Sequence, residues 1–274
     1  MIPEPQYRLE AAEFQYPQAS TPTLRGLNIE IRVGERVALL GSNGSGKSTL
    51  LKLLSALLTP TQGLCFVCGK ETSSLDPAEL RGISAMVFQN PEDQIVASTV
   101  EEETAFGPEN MGLPSAEIIK RVDEALTAAG LSDKKKKLVA QLSGGQKQRL
   151  ALAGALAMHP KAILLDEALS MLDARSRLDF SEIIKKEHQK GTTIVEVTHR
   201  LEEIRDAERV IILDKGTVAE DMGSREFFMK SSEWFTARRL EKPPFEKLRE
   251  LLAAEKLASG NEKNIGELAE KLCR

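Results

Sequence analysis

Eight consecutive residues, Gly41-Ser42-Asn43-Gly44-Ser45-Gly46-Lys47-Ser48, carry the G-x-x-x-x-G-K-[ST] spacing of a phosphate cradle. Glycines let backbone wrap closely around phosphate oxygens, and the N–H groups at the start of a helix point toward them. Lys47 can place a point charge on the β- and γ-phosphates, and the Ser48 hydroxyl can ligate Mg²⁺. The flanks agree with this chemistry. Residues 35–40 read as a short buried strand and 49–57, starting at Thr49, as a helix. The loop therefore predicts a nucleoside triphosphate as ligand.

A second element supplies acid. Residues 162–165 are apolar and end in Asp166-Glu167, and the carboxyl end of a strand is where a parallel α/β sheet places its ligand chemistry. Asp166 is expected to hold Mg²⁺ through water, and Glu167 to polarise the water attacking the γ-phosphate. A third element, Leu142-Ser143-Gly144-Gly145-Gln146, opens a helix over residues 146–157. It forms another phosphate-ready helix N-terminus, although one nucleotide needs only one cradle.

These residues require a scaffold of alternating strands and helices. Residues 9–16 and 27–33 carry strand signals, and the second stretch alternates apolar with polar residues, as in antiparallel strands with one wet face. Further strands are predicted at 64–67, 83–88, 162–166, 192–197 and 210–213, with a helix over 174–190. Between about residues 91 and 142 the pattern turns helical, most clearly over 115–126. There Ser115 is an N-cap candidate and Ile118, Val122 and Leu126 share a face. β-α-β runs on both sides of this insert predict an α/β fold with a largely parallel sheet. After Trp234 and Phe235, Pro243-Pro244 breaks the chain, and Phe245, Leu248, Leu252 and residues 264–272 read as two short amphipathic helices.

Composition narrows the function classes. A net charge of −4 and a pI near 5.7 disfavour nucleic acid as a partner. The longest apolar stretch, from Leu150 to Met158, is about half of what a membrane span requires. Met1-Ile2-Pro3-Glu4-Pro5 has neither a basic start nor an apolar core, so no signal peptide is expected. Cys65 and Cys68 have C-x-x-C spacing but no second pair and no nearby histidine; they and Cys273 are expected to be ordinary reduced residues. The run Lys134–Lys137 is expected to be a solvated helix end or loop, and His159 and His188 to be surface residues.

The motif Leu142–Gln146, following the phosphate loop and preceding Asp166-Glu167, resembles the signature of the ATP-binding-cassette (ABC) ATPases. The resemblance implies ATP and Mg²⁺ as cofactors. It also implies a head-to-tail dimer in which Ser143, Gly144, Gly145 and Gln146 of one subunit cap ATP held by residues 41–49 of the other. It implies Tyr16 stacked on adenine, Gln89 reaching Mg²⁺ and the attacking water, and Asp173, after Ser170-Met171-Leu172, in a loop at the dimer interface. His199, after Glu196-Val197-Thr198, would contact the γ-phosphate. One departure is Ala168, where many members have proline.

The segment 87–110, Val-Phe-Gln-Asn-Pro-Glu-Asp-Gln-Ile-Val-Ala-Ser-Thr-Val-Glu-Glu-Glu-Thr-Ala-Phe-Gly-Pro-Glu-Asn, is similar to the ATPase subunits of energy-coupling-factor transporters. The tetrad Gln146–Arg149 and Asn90 are more like the first than the second of that group's paired ATPases. The implied fold is a P-loop NTPase of ABC type. It has a mostly parallel sheet core, an antiparallel β-subdomain, a helical insert (about 91–142) within a nucleotide-binding domain over 1–235, and a small helical extension over 236–274. The implied activity is ATP hydrolysis driving uptake of a vitamin or transition-metal ion. The implied partners are a second ATPase subunit (an identical copy or a paralogue), an integral membrane coupling subunit and a substrate-binding membrane subunit. The implied place is the cytoplasmic side of the cell membrane, as a peripheral protein. An ordinary ABC importer ATPase working with a periplasmic binding protein, and a soluble ABC-type factor, stay open as alternatives. Residues 91–109 hold Glu92, Asp93, Glu101, Glu102, Glu103 and Glu109 with no lysine or arginine. They read either as a solvated face or as a groove for a basic helix of a membrane partner.

Overall fold

The computed structural model describes residues 4–76, 79–80, 82–255, 257 and 265–272. Strands β1 (Tyr7–Phe14), β2 (Leu24–Ile31), β4 (Gln62–Val67) and β5 (Lys70–Glu71) form an antiparallel sheet ordered β2-β1-β4-β5. On β2, Leu27, Ile29 and Ile31 are buried while Asn28 and Glu30 are exposed, so the alternation seen in sequence is one-sided burial.

The second sheet holds β3 (Arg36–Gly41), β6 (Ser84–Val87), β7 (Ala162–Asp166), β8 (Thr193–Val197), β9 (Arg209–Asp214) and β10 (Thr217–Gly223), in the order β10-β9-β3-β8-β7-β6. All neighbours are parallel except β10, an antiparallel edge strand absent from the sequence expectation. Every residue of β7 and β8 is buried, as befits central strands covered on both faces. The register pairs Leu39 with Val197, Asp166 with Val197 and Val87 with Leu165. The residues following β3, β6, β7 and β8 therefore emerge along one edge, and they are the phosphate loop, Gln89, Glu167 and His199.

Helix α1 (Lys47–Leu54) lies between the two sheets and buries Leu50, Leu51, Leu53 and Leu54 against residues of both. Each such side chain contributes ~1.5–3 kcal/mol relative to exposure, which anchors the end of the phosphate loop. The opposite face of the parallel sheet is covered by α4 (Gly144–Ala157) and α5 (Ala174–Gln189), joined by the insert helices α2 (Val100–Asn110) and α3 (Ser115–Ala128). Val122 and Leu126 are buried there and Ile118 packs against them. Ser115 is not the N-cap: Pro114 holds that position with extended backbone, and Ser115 is the first helical residue. Proline at 114 needs no N–H partner and fixes the entry angle, which displaces the serine by one.

The charged runs of the insert pair with each other. Lys135 contacts Glu101 and Asp123, and Lys136 contacts Glu101. Glu92 pairs with Lys147, and Glu102 closes a capping box with Thr99. Glu103 is buried and accepts from the N–H groups of Val96 and Ala97 at 2.9 and 2.8 Å. Lys134–Lys137 lies, as expected, at a helix end and the turn after it, with Lys136 and Lys137 exposed and Lys134 and Lys135 half-buried, and most of the acidic block is committed within the chain. His188 is also more than a surface residue, because its Nε2 lies 2.9 Å from the Gly34 carbonyl. His159 is half exposed near Glu124. Cys65 is buried in β4, and burial pushes its thiol up to about 12. Cys68 follows the strand, and Cys273 lies outside the described residues.

Beyond β10 come α6 (Ser224–Met229), α7 (Ser232–Ala237), α8 (Pro244–Ala254) and α9 (Ile265–Leu272). Phe227, Phe228 and Phe235 pack on β9 and β10. Lys242, buried, donates to Glu250 and to the Lys230 carbonyl at 2.7 Å each, and Glu250 also accepts from the Ser232 hydroxyl at 2.6 Å, so α8 is clamped to α7. Among the described residues no helix is long and apolar enough to cross a membrane.

Candidate active site

The phosphate loop takes its shape from positions that only glycine accommodates. At Gly41 φ is +145°, and a Cβ would sit 2.3 Å from the Leu213 carbonyl oxygen. At Gly46, the N-cap of α1, φ is +105°, and a Cβ would meet Leu24 at 2.5 Å. The turn after β9 supports the loop from behind: the Gly216 N–H donates to the Ser45 carbonyl at 3.1 Å. Sequence reading missed this support, although Lys215-Gly216 after an apolar strand is a turn signal.

Lys47 folds back over the loop and donates to the Gly41 and Ser42 carbonyls at 2.9 and 3.0 Å. Burial lowers its ammonium from the usual lysine range, while the Glu167 and Asp166 carboxylates work the other way. The Ser48 hydroxyl donates to Asp166 Oδ1 at 2.9 Å. Burial raises the Asp166 carboxyl above the usual range, opposed by the Ser48 hydrogen bond and reinforced by the neighbouring Glu167 charge. The Ser48 hydroxyl and the Asp166 carboxylate are hard oxygen donors beside a phosphate loop, which suits a cation such as Mg²⁺ that keeps waters and shares substrate phosphates.

Glu167 is held from both sides. Gln89 Nε2 donates to its Oε2 at 3.3 Å, and His199 Nε2 lies 3.0 Å from its Oε1. Its backbone has φ +49°, the left-handed region, pinned where its N–H donates to the Val197 carbonyl at 3.0 Å. A charged residue in that conformation costs ~1–3 kcal/mol and persists only where its surroundings fix it. Three strand ends thus converge on one carboxylate, next to the Ser48–Asp166 pair. A carboxylate so placed can accept a proton from water.

Tyr16 stands at the rim. Its hydroxyl lies 3.3 Å from Thr49 Oγ1, its ring meets Phe14 edge-on, and the side chain stays exposed. Ser42, Asn43 and Gly44 are exposed along the loop, while Ser45 and Thr49 are buried.

Ser143 and Asp173 are brought to helix starts, and among the described residues no hydrogen bond joins either to the phosphate loop. Ser143 and Gln146 close a capping box at the start of α4. Asp173 caps α5, accepting from the Ser176 N–H and hydroxyl at 2.9 Å each. The two glycines between Ser143 and Gln146 have no local cause. A Cβ at Gly144 would meet nothing within 4 Å, and one at Gly145 would make ordinary contacts at 3.5 Å with Leu172 and Ser176.

The chain is similar to known proteins along most of its length. The family model described as ABC transporter matches residues 24–170. The energy-coupling factor transporter ATP-binding protein EcfA of Methanosarcina acetivorans is 47% identical over 212 residues, 77% of this chain and 77% of that protein. The protein EcfA1 of Caldanaerobacter subterraneus subsp. tengcongensis is 41% identical over 97% of this chain and 98% of its own length. Among solved structures, cbiO1 from Clostridium perfringens, described as part of the ABC transporter complex cbiONQ, superposes with a TM-score of 0.75. It is 32% identical and covers 90% of this chain and 99% of its own. A dimeric ATP-binding cassette bound to ADP and phosphate gives a TM-score of 0.73 at 32% identity, over 80% of this chain and 98% of its own. The fold, the phosphate loop and the strand-end acids lead to one assignment: the chain belongs to the ABC-transporter family of ATP-hydrolysing cassettes, in its energy-coupling-factor branch.

Proposed function

We propose that this chain powers uptake of a vitamin or transition-metal ion by closing on ATP as a dimer against a membrane partner, as a peripheral subunit on the cytoplasmic side. The observation that carries the catalytic part is the clasp of Glu167 between Gln89 and His199, beside the Ser48–Asp166 pair. Residues 41–49 bind the phosphates, with Lys47 turning from the loop carbonyls to the β- and γ-oxygens. Ser48, Asp166 and Gln89 are the residues that would hold Mg²⁺, which when bound neutralises charge on the β- and γ-phosphates. Glu167 takes the proton of the attacking water as that oxygen bonds to the γ-phosphorus and the bond to ADP breaks. His199 donates to the γ-phosphate and keeps Glu167 in line. Tyr16 offers its exposed ring face to the adenine.

The signature acts in trans. Gly144 and Gly145 stand in a first helical turn where the chain's own packing would admit alanine. This is the expected arrangement where a phosphate of a neighbouring subunit's nucleotide approaches the backbone. Asp173 faces the same interface from the start of α5. The nucleotide-binding unit spans 1–235 with its insert at about 91–142, and 236–274 forms an extension clamped by Lys242 and Glu250. The second ATPase subunit is a copy or a paralogue; the remaining partners are a membrane coupling subunit and a membrane subunit that binds the solute.

The test mixes two inactive chains, Lys47→Ala and Gly145→Asp, each otherwise intact. A mixed dimer contains one good phosphate loop facing one good signature, so each mixed dimer should hydrolyse at about half of the parent rate, and an equal mixture, in which about half of the dimers are mixed, at about a quarter. Absence of any recovery, where the parent chain self-associates in ATP, refutes action in trans. Copurification from membranes with a multi-span protein tests the transport reading separately, and a chain found only in the soluble fraction refutes it.

A further inference from the structure

Among the described residues, His199 is held in the site by one side-chain hydrogen bond, to Glu167. Its position therefore depends on the loop that carries it. That loop is built around the hydroxyl of Thr198, which donates to Glu203 Oε2 at 2.6 Å and accepts from the Arg200 N–H at 3.0 Å. One hydroxyl thus brackets the backbone on both sides of His199. Glu203 opens a short 3₁₀ turn, Glu203–Asp206, and its side chain is only 11% exposed.

The second carboxylate oxygen of Glu203 faces another element. Oε1 is buried without a hydrogen bond and lies 3.9 Å from Arg177 Nη1. Arg177 sits on α5 one turn after Asp173, and its N–H donates to the Asp173 carbonyl at 2.9 Å. A buried carboxylate oxygen with an open lone pair is a costly group to keep for stability alone. Burial also pushes the Glu203 carboxyl above the usual range, against the Thr198 hydrogen bond and the Arg177 charge. The same carboxylate therefore meets the loop that carries His199 and the helix that follows Asp173, and among the described residues no hydrogen bond or ion pair joins it to the phosphate loop or to Glu167.

We propose that Glu203 is a positioning residue that fixes the His199 loop through the Thr198 hydroxyl and ties it, through Arg177, to the helix behind Asp173. The inference rests on the role given to His199 above. Movement of the Asp173 loop, as when a second subunit docks, then reaches His199 through α5, Arg177 and Glu203 without passing through the nucleotide. Glu203 is not a catalytic residue, since it acts only by where it holds its neighbour.

The test uses isosteric changes in the full chain with whatever subunits copurify with it. Thr198→Val keeps shape and removes the hydroxyl; it should lower kcat about five- to tenfold, the rate equivalent of one net hydrogen bond. KM for ATP should stay unchanged, and Thr198→Ser should restore kcat. Glu203→Gln keeps an acceptor for Thr198 but drops the charge facing Arg177. Its effect should not add to that of Arg177→Ala, because both cut the same link. In a His199→Ala background, Thr198→Val should have no further effect. An equal fall in that background, or a change in KM alone, overturns the proposal. If His199→Ala leaves kcat unchanged, the role of His199 fails first, which is a distinct result. If His199→Ala is too slow to measure, the imidazole nitrogen resonances decide, since the chain has three histidines. Thr198→Val and Glu203→Gln must shift those of His199, and unmoved resonances overturn the inference.

Discussion

Replacing Gly145 by alanine should make the chain more stable and less active. Gly145 is the second residue of α4, with φ outside the left-handed region and room for a Cβ at 3.5 Å from Leu172 and Ser176. Nothing in the subunit therefore resists the methyl group, and alanine removes the excess backbone entropy glycine loses in a helix. The gain is ~0.5–1 kcal/mol, and at roughly 2 °C per kcal/mol for a chain of this size the melting temperature should rise by about 1–2 °C. In the ATP-bound dimer the same methyl would stand between the helix N-terminus and a phosphate. Hydrolysis should fall at least about tenfold, the equivalent of ~1.4 kcal/mol of lost transition-state stabilisation. The assay pairs thermal unfolding of the nucleotide-free chain with steady-state ATPase of the assembled complex. Unchanged hydrolysis would remove the reason for a glycine here, and a lowered melting temperature would mean that the subunit itself needs it.

Glu167→Gln should leave ATP affinity within about twofold of the parent and slow hydrolysis by at least about 10²-fold, as expected for loss of a general base; single-turnover kinetics with trapped ATP check this, and near-normal turnover refutes it. Lys47→Ala should abolish measurable ATP binding by titration calorimetry, since it removes the charge on the β- and γ-phosphates; binding equal to the parent's contradicts the role. At Glu250, burial opposes ionisation, but Lys242 and Ser232 outweigh it and hold the carboxyl down to about 2. A depressed carboxylate stabilises above its unfolded pKa and loses that contribution as pH falls from about 4.5 toward about 2. Glu250→Gln should therefore loosen α8 at pH 7 but differ less from the parent as pH drops through that window. Trp234, the single tryptophan of the chain, reports it by fluorescence, and a difference independent of pH would exclude the clamp.

Much of the site was legible because its parts are local. The phosphate loop, the apolar strand ending in Asp166-Glu167 and the glycine-bearing helix start at Leu142–Gln146 each depend on residues within a few positions of one another. The alternation of strands and helices then implied a parallel sheet, and the register of such a sheet brings Gln89, Glu167 and His199 to one edge. What stayed hidden depends on distant pairs. The match of Glu101 with Lys135 and Lys136 forms only because the insert folds back on itself, with the bridge between Thr99 and Leu138. Strand β10 has little apolar periodicity because it is an edge strand, paired in the sheet only with β9. The N-cap at 114 was misplaced by one because a proline does there what a serine usually does. The link from Thr198 to Glu203 spans only five residues, but it forms because the 3₁₀ turn directs Glu203 inward.

Glu92, Glu101, Glu102 and Glu103 are already committed to partners within the chain, so a basic helix would have to displace those contacts before it could pair with them. What remains open near Glu92 and Lys147 is a cavity of about 430 Å³ walled by Ile95, Ala97, Leu138 and Val139, with Val96 and Phe106 exposed. A partner seated there would bury apolar surface. Its thermodynamic mark would then be a negative heat-capacity change on association, with little dependence on ionic strength, and not the steep loss with salt that a charge-lined groove would give.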